Sequence, residues 1–97
     1  MNTTRQTELE AVVFRRLLEH LRARPDTQNI DMMNLAGFCR NCLANWYEDA
    51  AKAAGETVTR AGAREMVYGM PYEDWKARHQ PGATDAQKQA FAASDKH

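Results

Sequence analysis

The chain has 97 residues, which is the size of one small domain with a single thin core, and we predict one domain over residues 1–97. Basic and acidic residues both number 13, so the formal net charge is zero, which argues against a general nucleic-acid binder and slightly favours self-association. The sequence contains neither an apolar run of roughly 18 residues nor an apolar signal core, so we expect a cytoplasmic protein with reduced thiols and no membrane partner.

The first predicted helix covers about residues 7–22. Its apolar side chains recur with helical spacing and cover about half of the circumference: Leu9, Val12, Val13, Phe14, Leu17, Leu18 and Leu21. So wide a face needs two other helices or a second copy of the chain to cover it, and we therefore expect a homodimer. His20 falls within the same arc. It is interpreted as a buried neutral histidine, with a metal or catalytic role as the alternative.

The second helical stretch begins near Asn29 or Asp31, either of which could cap it. Gly37 either splits this stretch into two helices or lets another backbone approach closely. We expect the first helix and the cysteine-containing helix to form the central pair of the fold. A continuous apolar stripe, which we expect to face inward with both thiols, Leu43 and Trp46 on the same side, follows in steps of three and four residues: Met32, Leu35, Ala36, Cys39, Cys42, Leu43, Trp46, Tyr47, Ala50, Ala51 and Ala54.

The C-terminal part predicts shorter helices. Thr59 is the expected cap of one helix and Gly69 its end. A weak last helix is expected over about residues 84–91, with flexible ends at residues 1–6 and 94–97. No segment alternates with a period of two. The predicted fold is therefore all-α, a compact array of five or six short helices that is expected to be dimeric.

Both cysteines lie in the run Cys39-Arg40-Asn41-Cys42, and three interpretations of this pair stay open. The two thiols could be small apolar side chains on one helix face. They could be a redox pair if a helix begins near Cys39, because a helix N-terminus and Arg40 would both lower a thiol pKa. They could also bind zinc, for which His79, His20 or two cysteines of a second copy would complete four ligands.

A second dense patch covers residues 68–76, where Tyr72, Trp75 and His79 share one helix face. These rings either fill the core or form an interaction surface. No sequence motif for catalysis or nucleotide binding is present, so we favour a non-catalytic binding module without a cofactor, with zinc binding or thiol redox chemistry as the alternatives. The predicted binding residues are Phe38, Arg40, Asn41, Tyr47, Tyr72 and Trp75; the predicted metal ligands are Cys39, Cys42 and His79.

Two motifs carry a family resemblance. They are NLAGFCRNC at residues 34–42, followed by Trp46-Tyr47, and YGMPYEDWK at residues 68–76. With these motifs the chain resembles a family of short bacterial proteins of uncharacterised function, and the resemblance covers all but about the last dozen residues. It implies a compact all-helical fold and no known catalytic residues. It also points to the two motif segments as the place to look for a site.

Overall fold

The computed structural model describes residues 1–79 and 89–90, and within these ranges the chain is helical and contains no strand. The all-α prediction is confirmed. The last predicted helix lies mostly outside the described residues, although residues 89–90 are helical, and the predicted flexible tail at 94–97 also lies outside them. The helices are α1 Thr3–Arg22, α2 Asn29–Ala36, α3 Arg40–Ala53, α4 Arg60–Tyr68 and α5 Tyr72–His79.

Helix α1 is long and only half covered. It begins at Thr3, four residues earlier than the spacing predicts, because the Asn2 side chain accepts a hydrogen bond from the Arg5 amide at 2.8 Å and caps the helix. Its 20 residues make it about 30 Å long. Leu18 and Leu21 near its C-terminal end are buried, whereas its first half is exposed. His20 is also exposed, so its predicted burial is wrong: it lies on a side of α1 that none of the helices in the described ranges covers.

The second predicted stretch is split at Gly37 into α2 and α3. Gly37 adopts a left-handed conformation, with φ of 78°, and its amide donates to the Met33 carbonyl at 3.0 Å, which ends α2. Phe38 and Cys39 then continue outside any helix, and Cys39 caps α3. The split was one of the two roles that the sequence left open for this glycine.

The split changes which side chains face inward. Leu35 is 90% exposed and Trp46 is 57% exposed, so their predicted burial is wrong. The buried face of α3 follows Arg40 and Ala44, which are four residues apart, and this register leaves Trp46 at the edge of the helix. The predicted apolar stripe assumed one helical register on both sides of Gly37. In the structure α2 and α3 are separate helices, and each buries a different face.

The central pair of helices is α3 and α4, and the predicted pairing of α1 with the cysteine-containing helix is wrong. Helix α4 packs mainly on α3 and also contacts α5 and α1. It buries Ala63, Val67 and Tyr68, whereas α1 contributes only its C-terminal end to the core. None of the helices within the described ranges is long and apolar enough to span a membrane.

The helix caps agree with the sequence in part. Thr59 caps α4 as predicted, since its hydroxyl accepts from the Gly62 amide at 3.0 Å, and Gly69 ends α4 in a left-handed conformation. Helix α2 is capped by Gln28 rather than by Asn29 or Asp31. The backbone amide of Gln28 donates to the Asp31 carboxylate at 3.0 Å, which leaves the Asn29 side chain available for contacts in the core.

Candidate functional site

The cysteine pair lies at the turn between α2 and α3. The two Sγ atoms are 3.8 Å apart, whereas a disulfide bond is about 2.05 Å long, so both thiols are free. Cys39 is buried at 8% exposure, and Cys42 is half-buried, with its sulfur 3.9 Å from the Met33 sulfur. Burial raises the pKa of the Cys39 thiol, which opposes the activation that a redox or nucleophilic cysteine needs.

Arg40, between the two cysteines, is among the most buried side chains of the described residues, at 2% exposure. Its guanidinium donates to the carbonyls of Leu21, Arg24 and Thr27 at 2.8 to 3.0 Å, and to the Asn29 side-chain oxygen at 3.1 Å. These acceptors span the turn from α1 to α2. Arg40 therefore fastens this turn to the start of α3.

The charge of Arg40 is balanced by carbonyl dipoles. No ion pair with a carboxylate is formed by this guanidinium among residues 1–79 and 89–90. Burial lowers the pKa of Arg40, but a guanidinium keeps its proton in proteins. The fold thus holds a buried positive charge next to the cysteine pair.

A chain of side-chain hydrogen bonds joins the two motif segments. Asn29 donates to the Tyr68 hydroxyl at 2.8 Å, and this hydroxyl donates to the Asn41 side-chain oxygen at 2.7 Å. The Asn41 amide donates in turn to the Tyr72 hydroxyl at 3.4 Å. Burial raises the pKa of Tyr68 well above its ordinary value, so Tyr68 is a neutral structural hydrogen-bond donor at physiological pH.

The aromatic side chains of the second motif pack on one another beside this chain. The Tyr68 ring lies 5.1 Å from the Tyr72 ring and 5.2 Å from the Trp75 ring, between centroids, and His79 lies 4.5 Å from Trp75. The Arg64 guanidinium lies over the outer ring, that of Tyr72, at 4.7 Å from its centroid. Such ring pairs stabilise a small core beyond the area that they bury.

The six predicted binding residues separate into two groups. Arg40, Asn41 and Trp75 hold the core together, and half-buried Tyr72 lies at the edge of the same cluster. Tyr47 lies apart from it, whereas half-buried Phe38 packs against the core. Phe38 stacks on the exposed ring of Trp46 at 6.1 Å between centroids, and Tyr47 is exposed beside Phe14 of α1. A binding role for these residues stays a prediction.

The predicted metal ligands are not brought together as a zinc site. His79 packs on the Trp75 ring, and His20 is exposed on α1. In the part of the chain that the structure describes, no three side chains of His, Cys, Asp or Glu are grouped so that they could hold a metal ion. A zinc site of the usual four ligands would need donors beyond those that this part of one chain supplies.

The sequence alone does not reveal the roles of three residues in this region. Asn29 was interpreted as a helix cap, Tyr68 as one ring among several, and Met33 was given no role. Their places follow from long-range packing between α2, α3 and α4, which local spacing does not reveal. No local signal marks the two asparagines, since Asn29 stands among polar residues and Asn41 directly follows Arg40.

A separate exposed apolar face lies on the uncovered half of α1. Val12 and Val13 are 61% and 67% exposed, although they lie in the middle of the helix. An open apolar groove runs along this side and is lined by Met1, Gln6, Leu9, Glu10, Val13, Phe14 and Leu17.

The comparisons with known proteins agree with the motifs on which the resemblance was based. No curated protein matches the chain. A family model described as "Protein of unknown function" matches residues 27–93, which takes in both motifs but leaves α1 outside, although the resemblance was expected to cover it. Because the match covers well over half of the chain, the protein belongs to this family of unknown function, DUF1244.

Proposed function

We propose that this protein is a non-catalytic binding module that acts as a homodimer joined through α1. The observation that carries the proposal is the exposed apolar face of α1, with Val13 at its centre. Contiguous apolar surface of this kind on a small soluble domain is typical of an interaction site. A second copy of the chain is the partner that the charges of α1 fit best.

The charges on α1 are complementary in an antiparallel pair. When a two-fold axis passes through Val13, Leu9 of one copy lies level with Leu17 of the other, and Glu10 lies level with Arg16 across the seam. Both charged residues are exposed in the single chain. Opposite charges that flank an apolar seam set the register and orientation of paired helices. The symmetry repeats each contact, as in an isologous dimer.

The site at the two motifs supports a binding role more than a catalytic one. Arg40 and Asn41 are engaged in holding the core, and the raised Cys39 pKa gives a thiol redox function little support. The exposed ring of Trp46, with the half-buried ring of Phe38 stacked on it, is the part of the first motif that a further partner could reach. Cytoplasmic location and bacterial origin remain part of the proposal.

Sedimentation velocity over a concentration series tests the dimer. The wild-type protein is expected to be dimeric, and Val13→Glu to be monomeric, because two carboxylates would meet at the two-fold axis. Leu35→Glu is the matched control, since it adds the same charge at an exposed apolar residue outside α1. A wild-type protein that is monomeric at every concentration would overturn the proposal.

Charge reversal tests the antiparallel register. Glu10→Arg should weaken the dimer, because it places like charges opposite each other, and adding Arg16→Glu on the same chain should restore it. Equal dimer stability in the single and double variants would show that these residues do not face each other.

A further inference from the structure

Three sulfur atoms converge at the turn between α2 and α3. The Cys42 sulfur lies 3.8 Å from the Cys39 sulfur and 3.9 Å from the Met33 sulfur. The neighbouring methionine, Met32, contacts the Arg40 guanidinium instead, with its sulfur 3.5 Å from a guanidinium nitrogen. Cys39 is buried, and Met33 and Cys42 are half-buried, so the cluster is largely shielded but reachable from one side.

The spacing of these atoms fits ligands around one metal ion. A metal–thiolate bond of about 2.3 Å places sulfur ligands about 3.8 Å apart in tetrahedral geometry and about 4.0 Å apart in trigonal geometry. Both measured distances, 3.8 and 3.9 Å, lie in this range. The Cys42 sulfur is thus at ligand spacing from each of the other two sulfurs.

The chemistry of the donors selects a soft monovalent ion. Two thiolates and one thioether form an all-sulfur set, and soft ligands of this kind select Cu(I), zinc or iron–sulfur clusters. Iron–sulfur clusters are usually held by four cysteines, whereas this chain has two. Zinc prefers four ligands that include thiolates, imidazoles or carboxylates. Within residues 1–79 and 89–90, no His, Asp or Glu joins the cysteine pair to make such a group.

The charges around the cluster suit the same ion. Two thiolates and one Cu(I) leave a net charge of −1, which would lie next to the buried positive charge of the Arg40 guanidinium. Cys39 also caps α3, a helix of 14 residues, whose N-terminal amides favour negative charge.

We propose that Met33, Cys39 and Cys42 form a three-coordinate Cu(I) site. On binding, each thiol loses its proton to solvent, two copper–thiolate bonds and one copper–thioether bond form, and copper stays in the +1 state. Two protons are released for each ion bound. This site is independent of the α1 dimer, so either proposal can fail without the other.

The test uses the full-length reduced protein under nitrogen, titrated with Cu(I) supplied as its acetonitrile complex in competition with bicinchoninate. One Cu(I) per chain is expected, and X-ray absorption at the copper edge should show three sulfur neighbours. Met33→Leu should lower the Cu(I) affinity by at least about tenfold, since losing even a residue that only hydrogen-bonds to a metal ligand lowers metal affinity by about that factor. Cys42→Ser should abolish tight binding.

Met66→Leu is the matched control, because it makes the same exchange at a half-buried methionine of α4 and should bind like the wild type. Circular dichroism establishes that each variant is folded. Unchanged affinity in Met33→Leu would overturn the proposal, since a dithiol alone would then account for binding. Two sulfur neighbours, or nitrogen and oxygen neighbours, in the wild-type absorption spectrum would also overturn it, whatever the variants do.

Discussion

The Arg40 guanidinium lies over the Trp75 indole, 5.2 Å from the ring centroid. Arg40 belongs to the first motif and Trp75 to the second, so this contact joins the two segments across the core. A cation over an indole is favourable by about 2 kcal/mol when both groups are shielded from water. The densest sequence motifs of this family member therefore meet as a structural centre, with the cysteine cluster at its border.

Replacing Arg40 tests its role as a clamp. Arg40→Met keeps much of the side-chain length but leaves the carbonyls of Leu21, Arg24 and Thr27 without their charged donor. We expect the free energy of unfolding to fall by about 3 kcal/mol or more, because three carbonyls lose their hydrogen bonds from the buried guanidinium. Urea unfolding at a fixed protein concentration measures this change.

The control for this variant is Arg60→Ala. Arg60 is exposed and pairs with Glu48 at 3.3 Å on the surface. Exposed pairs of this kind contribute about 0.5 kcal/mol or less. Similar losses in the two variants would show that Arg40 is a surface residue in solution and that the clamp does not exist.

The Tyr68 hydroxyl should contribute more to stability than the Tyr72 hydroxyl. Tyr68→Phe removes a group that accepts from Asn29 and donates to Asn41 at distances below 3 Å, and it leaves the Asn29 side-chain nitrogen and the Asn41 side-chain oxygen without this partner. We expect a loss of about 1–2 kcal/mol in the free energy of unfolding. Tyr72→Phe is the matched control and should cost less, since its bond is 3.4 Å long and lies at the edge of the core. Equal costs would contradict the chain of hydrogen bonds.

The raised pKa of Tyr68 predicts a loss of stability at high pH. The unfolded chain releases the tyrosine proton near pH 10, whereas the folded protein retains it, so the unfolded state binds fewer protons above that pH. The free energy of unfolding should therefore fall as pH rises above about 10, by at most about 1.4 kcal/mol per pH unit from this group. The advantage of the wild type over Tyr68→Phe should narrow over the same range.

Urea midpoints of both proteins, measured from neutral pH upward, check this linkage. Cys39 contributes in the same direction from a lower pH, because its pKa is also raised and an unfolded cysteine titrates near 8.5. That contribution is common to both proteins and cancels in the comparison. A constant difference between them up to the pH of alkaline unfolding would contradict a raised Tyr68 pKa.

The fold could be predicted from the sequence wherever local chemistry determined it. Thr59 and Gly69 delimit α4 as predicted, because capping and left-handed glycines act within a few residues. The inward face of α3 could not be predicted, because it depends on where Gly37 restarts the helix, and a register error moved Trp46 to the wrong side.

The sequence predicts which residues lie at the candidate site but not what their side chains do there. Arg40 and Asn41 were identified as important residues, and both do lie at the junction of the two motifs. An arginine is rarely buried unless it is paired, so composition favours a surface role for it. Its burial depends on carbonyls of the turn after α1, more than ten residues away, and no local pattern reports such acceptors.

The two thiols should differ in reactivity. Cys39 is buried and its pKa is raised, whereas Cys42 is half-buried, so a disulfide reagent should modify Cys42 first. Cys42→Ser, which leaves only Cys39, should react at least about tenfold more slowly at neutral pH than Cys39→Ser, because the rate follows thiolate fraction and access. Mass spectrometry of timed samples measures both rates. If the Cys39 thiol reacted as fast as the Cys42 thiol, the result would contradict this prediction and favour the redox hypothesis.

Among the described residues, three glycines have a left-handed backbone. Comparing alanine substitutions at these positions separates the cost of a steric contact from the cost of backbone strain. Gly37, Gly55 and Gly69 share φ values of 75 to 78°, so alanine at any of them incurs a backbone cost of about 1 kcal/mol. Only at Gly69 would the added Cβ meet another group, the Arg22 side chain, at 2.8 Å from its Nε. That guanidinium donates to the Val67 and Met66 carbonyls and so ties α1 to the end of α4.

Gly69→Ala should therefore destabilise the protein by about 1 kcal/mol more than Gly37→Ala, because the alanine displaces the guanidinium from its carbonyl partners. Gly55→Ala should behave like Gly37→Ala, since neither glycine has an atom within 4 Å of the added Cβ. Adding Arg22→Ala to each glycine variant tests whether the Arg22 side chain causes the difference. The excess cost at Gly69 should disappear in that background, and an excess that persists would place its cause in the backbone and not in Arg22.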